Sequence, residues 1–230
     1  QSAFIEIGLE RTAFLHVADI MEARANGHGS EPARPIERML SEGQSLMVQV
    51  SKDPISTEGA RLSTQMSIAG RMLVYLPQEK HIGVSQRIED EAERESLREK
   101  LTRLIPEDEA GGFIVRTMAE GASEEDLAND IAYLRTIWGE LRQQVRTASA
   151  PSLIYQELNL AQRVLRDFVN PETVRIVIDS RENFQKLTSF AELYTPAVRG
   201  LLEHYIGERP LFDLFGVEDE IQKALARRVD

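Results

Sequence analysis

A chain of 230 residues, 42% hydrophobic and 28% charged, has room for one large domain or two to three small ones, and its composition excludes whole-chain disorder. Its formal charge of -11 argues against non-specific coating of nucleic acid, which rests on neutralising phosphates with Lys and Arg, yet allows an RNA contact confined to one patch. With no cysteine there is no disulfide, thiol nucleophile or thiolate metal site, which fits a reducing cytoplasm, and no apolar run approaches the ~20 residues of a bilayer span.

The segment Ala3–His16 reads as a β-hairpin with period-two alternation. Ala3, Ile5 and Ile7 fall on one face, and Phe4, Glu6 and Gly8 on the other. Past a turn at Leu9–Arg11, Ala13, Leu15 and Val17 oppose Thr12, Phe14 and His16. Each strand thus puts one phenylalanine on its polar face. Exposed rings on a small barrel stack unpaired bases at roughly 1–3 kcal/mol per base; a covering domain accounts for them equally well. The opening strand has no upstream neighbour to pair with, so the chain is expected to be a piece of a longer protein.

Further along, His16–Ala23 is expected to form a short helical turn, Asn26–Pro35 a loop and Ile36–Leu40 another turn. A strand SLMVQV follows, with Leu46, Val48 and Val50 inward, and the loop DPISTEGA separates it from the strand RLSTQMSI. Five short strands with one long irregular connection suit a Greek-key barrel. Arg71–Leu76, apolar on both sides, reads as a strand between two layers, and a charged helix is expected from Ser85 to about Leu104, ended by Pro106. Gly111-Gly112 introduces the buried strand GFIVRT, and Ser123 with Asp126 forms a capping box for a helix whose stripe is Leu127, Ile131, Leu134, Trp138, Leu141 and Val145. Beyond Leu153 come a helix near Leu158–Phe168, the strand VRIVIDS, helices near Asn183–Leu193 and Pro196–Tyr205, and a closing amphipathic helix VEDEIQKALARRV. Its acidic start and basic end suit the helix dipole.

Chemistry-bearing signals are sparse. His16, His28, His81 and His204 are scattered, with no metal-ligand spacing, and there is no glycine-rich phosphate loop or nucleophile elbow. Asp179 ends a strong strand, where carboxylates often hold Mg²⁺. Followed by Ser180 and Arg181, it reads better as a helix N-cap, and no second carboxylate at short spacing completes a two-metal site. Arg116-Thr117, at the end of a Gly-preceded strand, can cradle an anion, since Arg forks onto phosphate oxygens and Thr adds a donor. A surface arginine beside a strand-end threonine is the commoner meaning of such a pair.

Taken in order, AFIEIGLERTAFLH, SEGQSLMVQVSKDP, TEGARLSTQMSIAGRMLVYLP, GVSQRIED, GGFIVRT and RPLFDLFGVEDEIQKALARRV resemble the ribonuclease E/G family over essentially the whole chain. The ordered set is specific although each piece alone is not; it fits either the family's shorter branch or the core of its longer one. The resemblance implies a single-strand-specific bacterial endoribonuclease of the cytoplasm that processes ribosomal and transfer RNA precursors and initiates messenger decay. The implied fold class is α+β and multidomain. It comprises an S1-type OB-fold barrel over 1–78, an α/β 5′-sensor region over 66–155 interwoven with the barrel's end, and a partial RNase H-like α/β subdomain over 156–230.

By the same resemblance, Phe4 and Phe14 match the aromatics that pack on RNA bases, and Gly70, Val74, Arg116 and Thr117 match the pocket for a 5′-monophosphate. Single-stranded RNA with a 5′-monophosphate is the implied partner, and the whole family member is implied to form a homo-oligomer. Two departures stand out. The family often has a lysine where this chain has Glu58, which puts one backbone contact in doubt. The paired aspartates for Mg²⁺ and the cysteine motif for zinc have no counterpart before Asp230, so the piece is expected to bind RNA without a cofactor and without cutting it. Two other readings of the same residues are a non-catalytic S1-domain RNA-binding protein and an interaction module whose acidic helices dock a protein partner.

Overall fold

A computed structural model of the chain describes residues 1–20 and 35–226. The loop expected over Asn26–Pro35 (Pro35 apart), its His28, the end of the turn predicted to reach Ala23 and the last residues of the closing helix fall outside the described residues. The architecture is mixed α+β. The chain divides into two compact units, Gln1–Glu157 and Leu158–Asp230.

In the first unit the hairpin strands β1 (Ser2–Ile5) and β2 (Ala13–His16) pair antiparallel, and β2 runs parallel to β4 (Arg61–Ser63), which pairs antiparallel with β3 (Gln49–Lys52). Among the described residues this gives a four-stranded sheet in the order β1-β2-β4-β3. Alternation decides its faces. Ala13, Leu15, Ala60 and Leu62 are wholly buried, joined by Ile20 and Ile36, with Ala3, Ile5, Ile7, Leu46 and Val48 packed against them. Val50 departs from expectation: it is 45% exposed, next to a bulge between Val50 and Lys52 that breaks the inward alternation. The predicted strand RLSTQMSI also divides, its second part being β5 (Ile68–Ala69) of another sheet.

That second sheet runs β5-β6-β8-β7, with β6 (Leu73–Leu76) antiparallel to β8 (Gly112–Val115) and β7 (Ile82–Val84) parallel to β8. β7 is a strand the sequence pattern hides, because Gly83 at its centre breaks the apolar run. It also displaces the start of the next helix. α1 is Glu91–Leu104, capped by the Asp90 carboxylate, and not a helix from Ser85, whose N–H instead donates to the Val115 carbonyl. α1 packs on β7, and the 24-residue α2 (Glu124–Thr147) packs on β5 and β6.

The capping box expected at the start of α2 is present in both directions. Leu127, Ile131, Leu134 and Leu141 are buried along its stripe, but Ile137 takes the buried place expected for Trp138, and Val145 is exposed.

The second unit contains α3 (Leu160–Asp167), β9 (Ile176–Ile178), α4 (Arg181–Tyr194), α5 (Pro196–Arg199), β10 (Leu202–His204), α6 (Leu211–Leu214) and α7 (Val217–Ala224). Leu165, Val169, Ile178, Leu187, Phe190 and Val198 form its core. The helix expected over Pro196–Tyr205 stops after one turn, and Leu202–His204 pairs parallel with β9 instead. Proline at the first helical position starts the turn, and burial of Leu202 against the core draws the following residues into the sheet.

Among the described residues no helix is long and apolar enough to cross a membrane.

Candidate functional site

Two groups of residues stand out in the first unit. On the first sheet, Phe4 and Phe14 are paired directly across the β1–β2 ladder. Their strand neighbours Leu15 and Ala13 are buried on the core side, so both rings lie on the opposite face; Phe4 is 80% exposed and Phe14 is half-buried. The parallel pairing then sets Arg61 beside Phe14, and the antiparallel one sets Lys52 beside Arg61. Phe4, Phe14, Arg61 and Lys52 therefore form one lateral row across four strands, about 14 Å long at the usual strand spacing.

Arg61 is held in place within this row. Its Nε and Nη2 both donate to Oδ2 of Asp19, at 2.9 and 2.8 Å, and its carbonyl accepts from Ser51 Oγ. Nothing in the sequence pattern singled out Arg61 or Lys52, because Arg61 reaches Phe14 only through a register between strands more than forty residues apart, and Lys52 joins the row only through its pairing with Arg61. Glu58 is exposed in the loop before β4, where its N–H closes a small bridge onto the Ile55 carbonyl.

The second group lies where β8 ends. Leu73 and Val115 are paired and wholly buried, so Val74, Ile114 and Arg116 share the other face of the second sheet. The Arg116 N–H donates to the Met72 carbonyl at 2.8 Å, and its Nη1 donates to the carbonyls of Gly70 and Arg71. Thr117 is exposed and opens a single 3₁₀ turn, Thr117–Ala119. The structure thus brings Gly70 and Arg116 into direct contact, sets Val74 on the face of Arg116, and leaves Thr117 next to the guanidinium-bearing strand end. With Nη1 turned to the Gly70 and Arg71 carbonyls, the planar guanidinium of Arg116 is fixed in orientation, and its fork is a shape that matches a phosphate.

Sequence reasoning missed Asp130, which sits under this turn. It is 8% exposed, on the buried stripe of α2. Its Oδ1 accepts from the Arg71 N–H at 3.0 Å, and its Oδ2 accepts from the Met72 and Leu73 N–H groups at 2.9 and 2.8 Å. Burial pushes its carboxyl above the usual range, although the three N–H groups and the Arg116 charge pull the other way. The one signal available was an acid inside an otherwise apolar helical stripe.

The remaining candidates have structural roles. Asp179 is exposed and does not cap α4; the cap is Ser180, whose Oγ accepts from the Asn183 N–H. His16 Nδ1 accepts from the Ala18 N–H, and the His204 ring stacks on Phe184 with centroids 5.5 Å apart. Among the described residues no group of three or more His, Asp or Glu side chains is placed to hold a metal ion.

The mixed α+β architecture is compatible with many families, and the sequence match narrows it. The model of the ribonuclease E/G family matches residues 67–230, and the chain belongs to that family. Ribonuclease G of Escherichia coli (strain K12) and of Salmonella typhimurium (strain SL1344) are each 47% identical over 234 residues, covering 100% of this chain and 47% of the relative. Ribonuclease E of Haemophilus influenzae is 36% identical over 231 residues, covering 100% of this chain and 24% of the relative. The chain spans about half the length of the ribonuclease G relatives it matches.

Proposed function

We propose that this chain grips single-stranded RNA and senses its 5′ end within an endoribonuclease of the ribonuclease E/G type. In this reading residues 1–78 act as an S1-type OB-fold barrel, 66–155 as the 5′ sensor and 156–230 as part of an RNase H-like subdomain. The observation that carries it is the row Phe4–Phe14–Arg61–Lys52 on the exposed sheet face. Two rings give successive bases a stacking platform, and two cations beside them meet the phosphates between those bases.

The sensor supplies the second grip. A 5′-monophosphate offers charged oxygens to Arg116 and a hydrogen-bond acceptor to Thr117, whereas a 5′-hydroxyl forfeits the charge-assisted bonds. A triphosphate brings bulk and further charge that a cradle made for one phosphate does not match. Cleavage, with its Mg²⁺, belongs to the reading at the level of the family, and no described residue is assigned to it.

The reading is tested with matched single-stranded oligomers bearing a 5′-monophosphate or a 5′-hydroxyl. The chain should bind the monophosphate several-fold more tightly, and Arg116→Ala should remove that preference while leaving hydroxyl-oligomer binding intact. Phe14→Ala should weaken both oligomers alike. Equal affinities that Arg116→Ala does not change would sink the sensor assignment.

A further inference from the structure

We infer that Asp130 is the positioning residue of the 5′-phosphate cradle, holding the 70–73 turn so that its carbonyls fix the Arg116 guanidinium. The inference rests on the sensor reading given above and adds a residue that does not itself touch RNA.

The argument starts from peptide geometry. In a trans peptide unit the C=O and the N–H point in opposite directions. The unit joining Gly70 to Arg71 donates its N–H to Asp130 Oδ1 at 3.0 Å, and its C=O accepts from Arg116 Nη1. The unit joining Arg71 to Met72 repeats the pattern: its N–H donates to Asp130 Oδ2 at 2.9 Å, and its C=O accepts from Arg116 Nη1 at 3.1 Å. Asp130 and Arg116 therefore lie at opposite edges of the same two peptide units. A rotation of either plane breaks a bond at both ends at once.

A third amide, from Leu73, completes the set at 2.8 Å. Three successive N–H groups turned on one anion form a nest of the kind that binds phosphate. Here the carboxylate of the chain fills it, so the turn cannot take the RNA phosphate itself. The anion site is thereby displaced onto the side chains beyond the carbonyls, namely Arg116 and Thr117.

Gly70 fits the same account. A Cβ there would stand 2.5 and 2.6 Å from the two Asp130 oxygens, too close for any side chain. The acid also sits at a cost, because burial disfavours its charged form. A leucine in its place would suit the stripe of Leu127, Ile131 and Leu134 but would strand three amides.

The test uses the whole chain and Asp130→Asn, which keeps the shape but turns an N–H₂ donor on one of the amide donors. Its monophosphate-to-hydroxyl affinity ratio should fall several-fold towards that of Arg116→Ala, with hydroxyl-oligomer affinity unchanged. The two substitutions combined should lower the ratio no further than Arg116→Ala alone. A folded Asp130→Asn chain with the parent ratio overturns the inference while Arg116→Ala still upholds the sensor. A parent chain without any preference overturns the sensor, and the inference with it.

Should Asp130→Asn fail to fold, amide hydrogen exchange on the unmutated chain decides the matter. The monophosphate oligomer should slow exchange at Met72 and Leu73 more than the hydroxyl oligomer does, and equal protection by both overturns the positioning role.

Discussion

Phe4 and Phe14 oppose each other across one ladder, while Ala3–Leu15 and Ile5–Ala13, the pairs on either side of them, turn to the core. The two rings are thus fixed as neighbours by the same alternation that builds the core of this sheet. Replacing either by alanine should weaken single-stranded RNA binding by roughly 5- to 150-fold, the equivalent of about 1–3 kcal/mol per lost stack. Phe4→Ala should leave the melting temperature within error, since that ring is 80% exposed. Leu15→Ala, one step along and wholly buried, should instead destabilise the fold by about 2–5 kcal/mol. Oligomer titration alongside denaturant unfolding separates the two effects.

The cations of the row predict a different readout. A phosphate contact to single-stranded nucleic acid contributes about 0.7 to the slope of log affinity against log salt. Lys52→Gln should reduce that slope by up to this amount and weaken all sequences alike, and Arg61→Gln should reduce it by less, because its guanidinium is already paired with Asp19. Glu58→Lys should act in the opposite direction, adding a cation at an exposed position shortly before β4. Titrations over a range of salt concentrations measure each slope directly.

Local patterns made much of this legible, and long-range register hid the rest. Alternation in Ala3–His16 sorts core from surface because a strand has only two faces, and the Ser123–Asp126 spacing announces a capping box because both partners lie within one turn. The strand β7, its centre a glycine, gives no periodic signal. Residues 202–204 follow a proline-started helical turn and become a strand only because β9 lies beside them. Asp130 is the clearest case. Its three donors stand 59, 58 and 57 residues away in the chain, so its role exists only once α2 is docked on the second sheet.

The capping box itself yields a prediction of pH dependence. Ser123 Oγ accepts from the Asp126 N–H, and the Ser123 N–H and hydroxyl bond back to the Asp126 carboxylate. Those bonds hold the Asp126 carboxyl below its ordinary value. A carboxylate lowered by folding stabilises the folded state above its unfolded pKa and loses that contribution as pH falls through the folded one. Ser123→Ala should therefore cost about 1 kcal/mol near neutrality. The difference from the parent chain should narrow as the solution is acidified below the ordinary aspartate range. Urea unfolding at a series of pH values would show the convergence.

Two glycines close the set, because their surroundings call for opposite outcomes. A Cβ on Gly112 would strike backbone atoms of Glu79 and His81, which cannot rotate away as a side chain could. That glycine lets β8 run against the chain entering β7, and β8 ends at Arg116. Gly112→Ala should destabilise the first unit by about 1–3 kcal/mol, as overpacking does, and should blunt the preference for a 5′-monophosphate through the displaced strand end. A Cβ on Gly139 meets nothing within 4 Å, and the residue lies inside the helix α2. Gly139→Ala should therefore stabilise the chain by about 0.5–1 kcal/mol, because alanine loses less backbone entropy in a helix. Unfolding curves for the two variants should move in opposite directions, with only the first accompanied by a fall in the monophosphate-to-hydroxyl ratio.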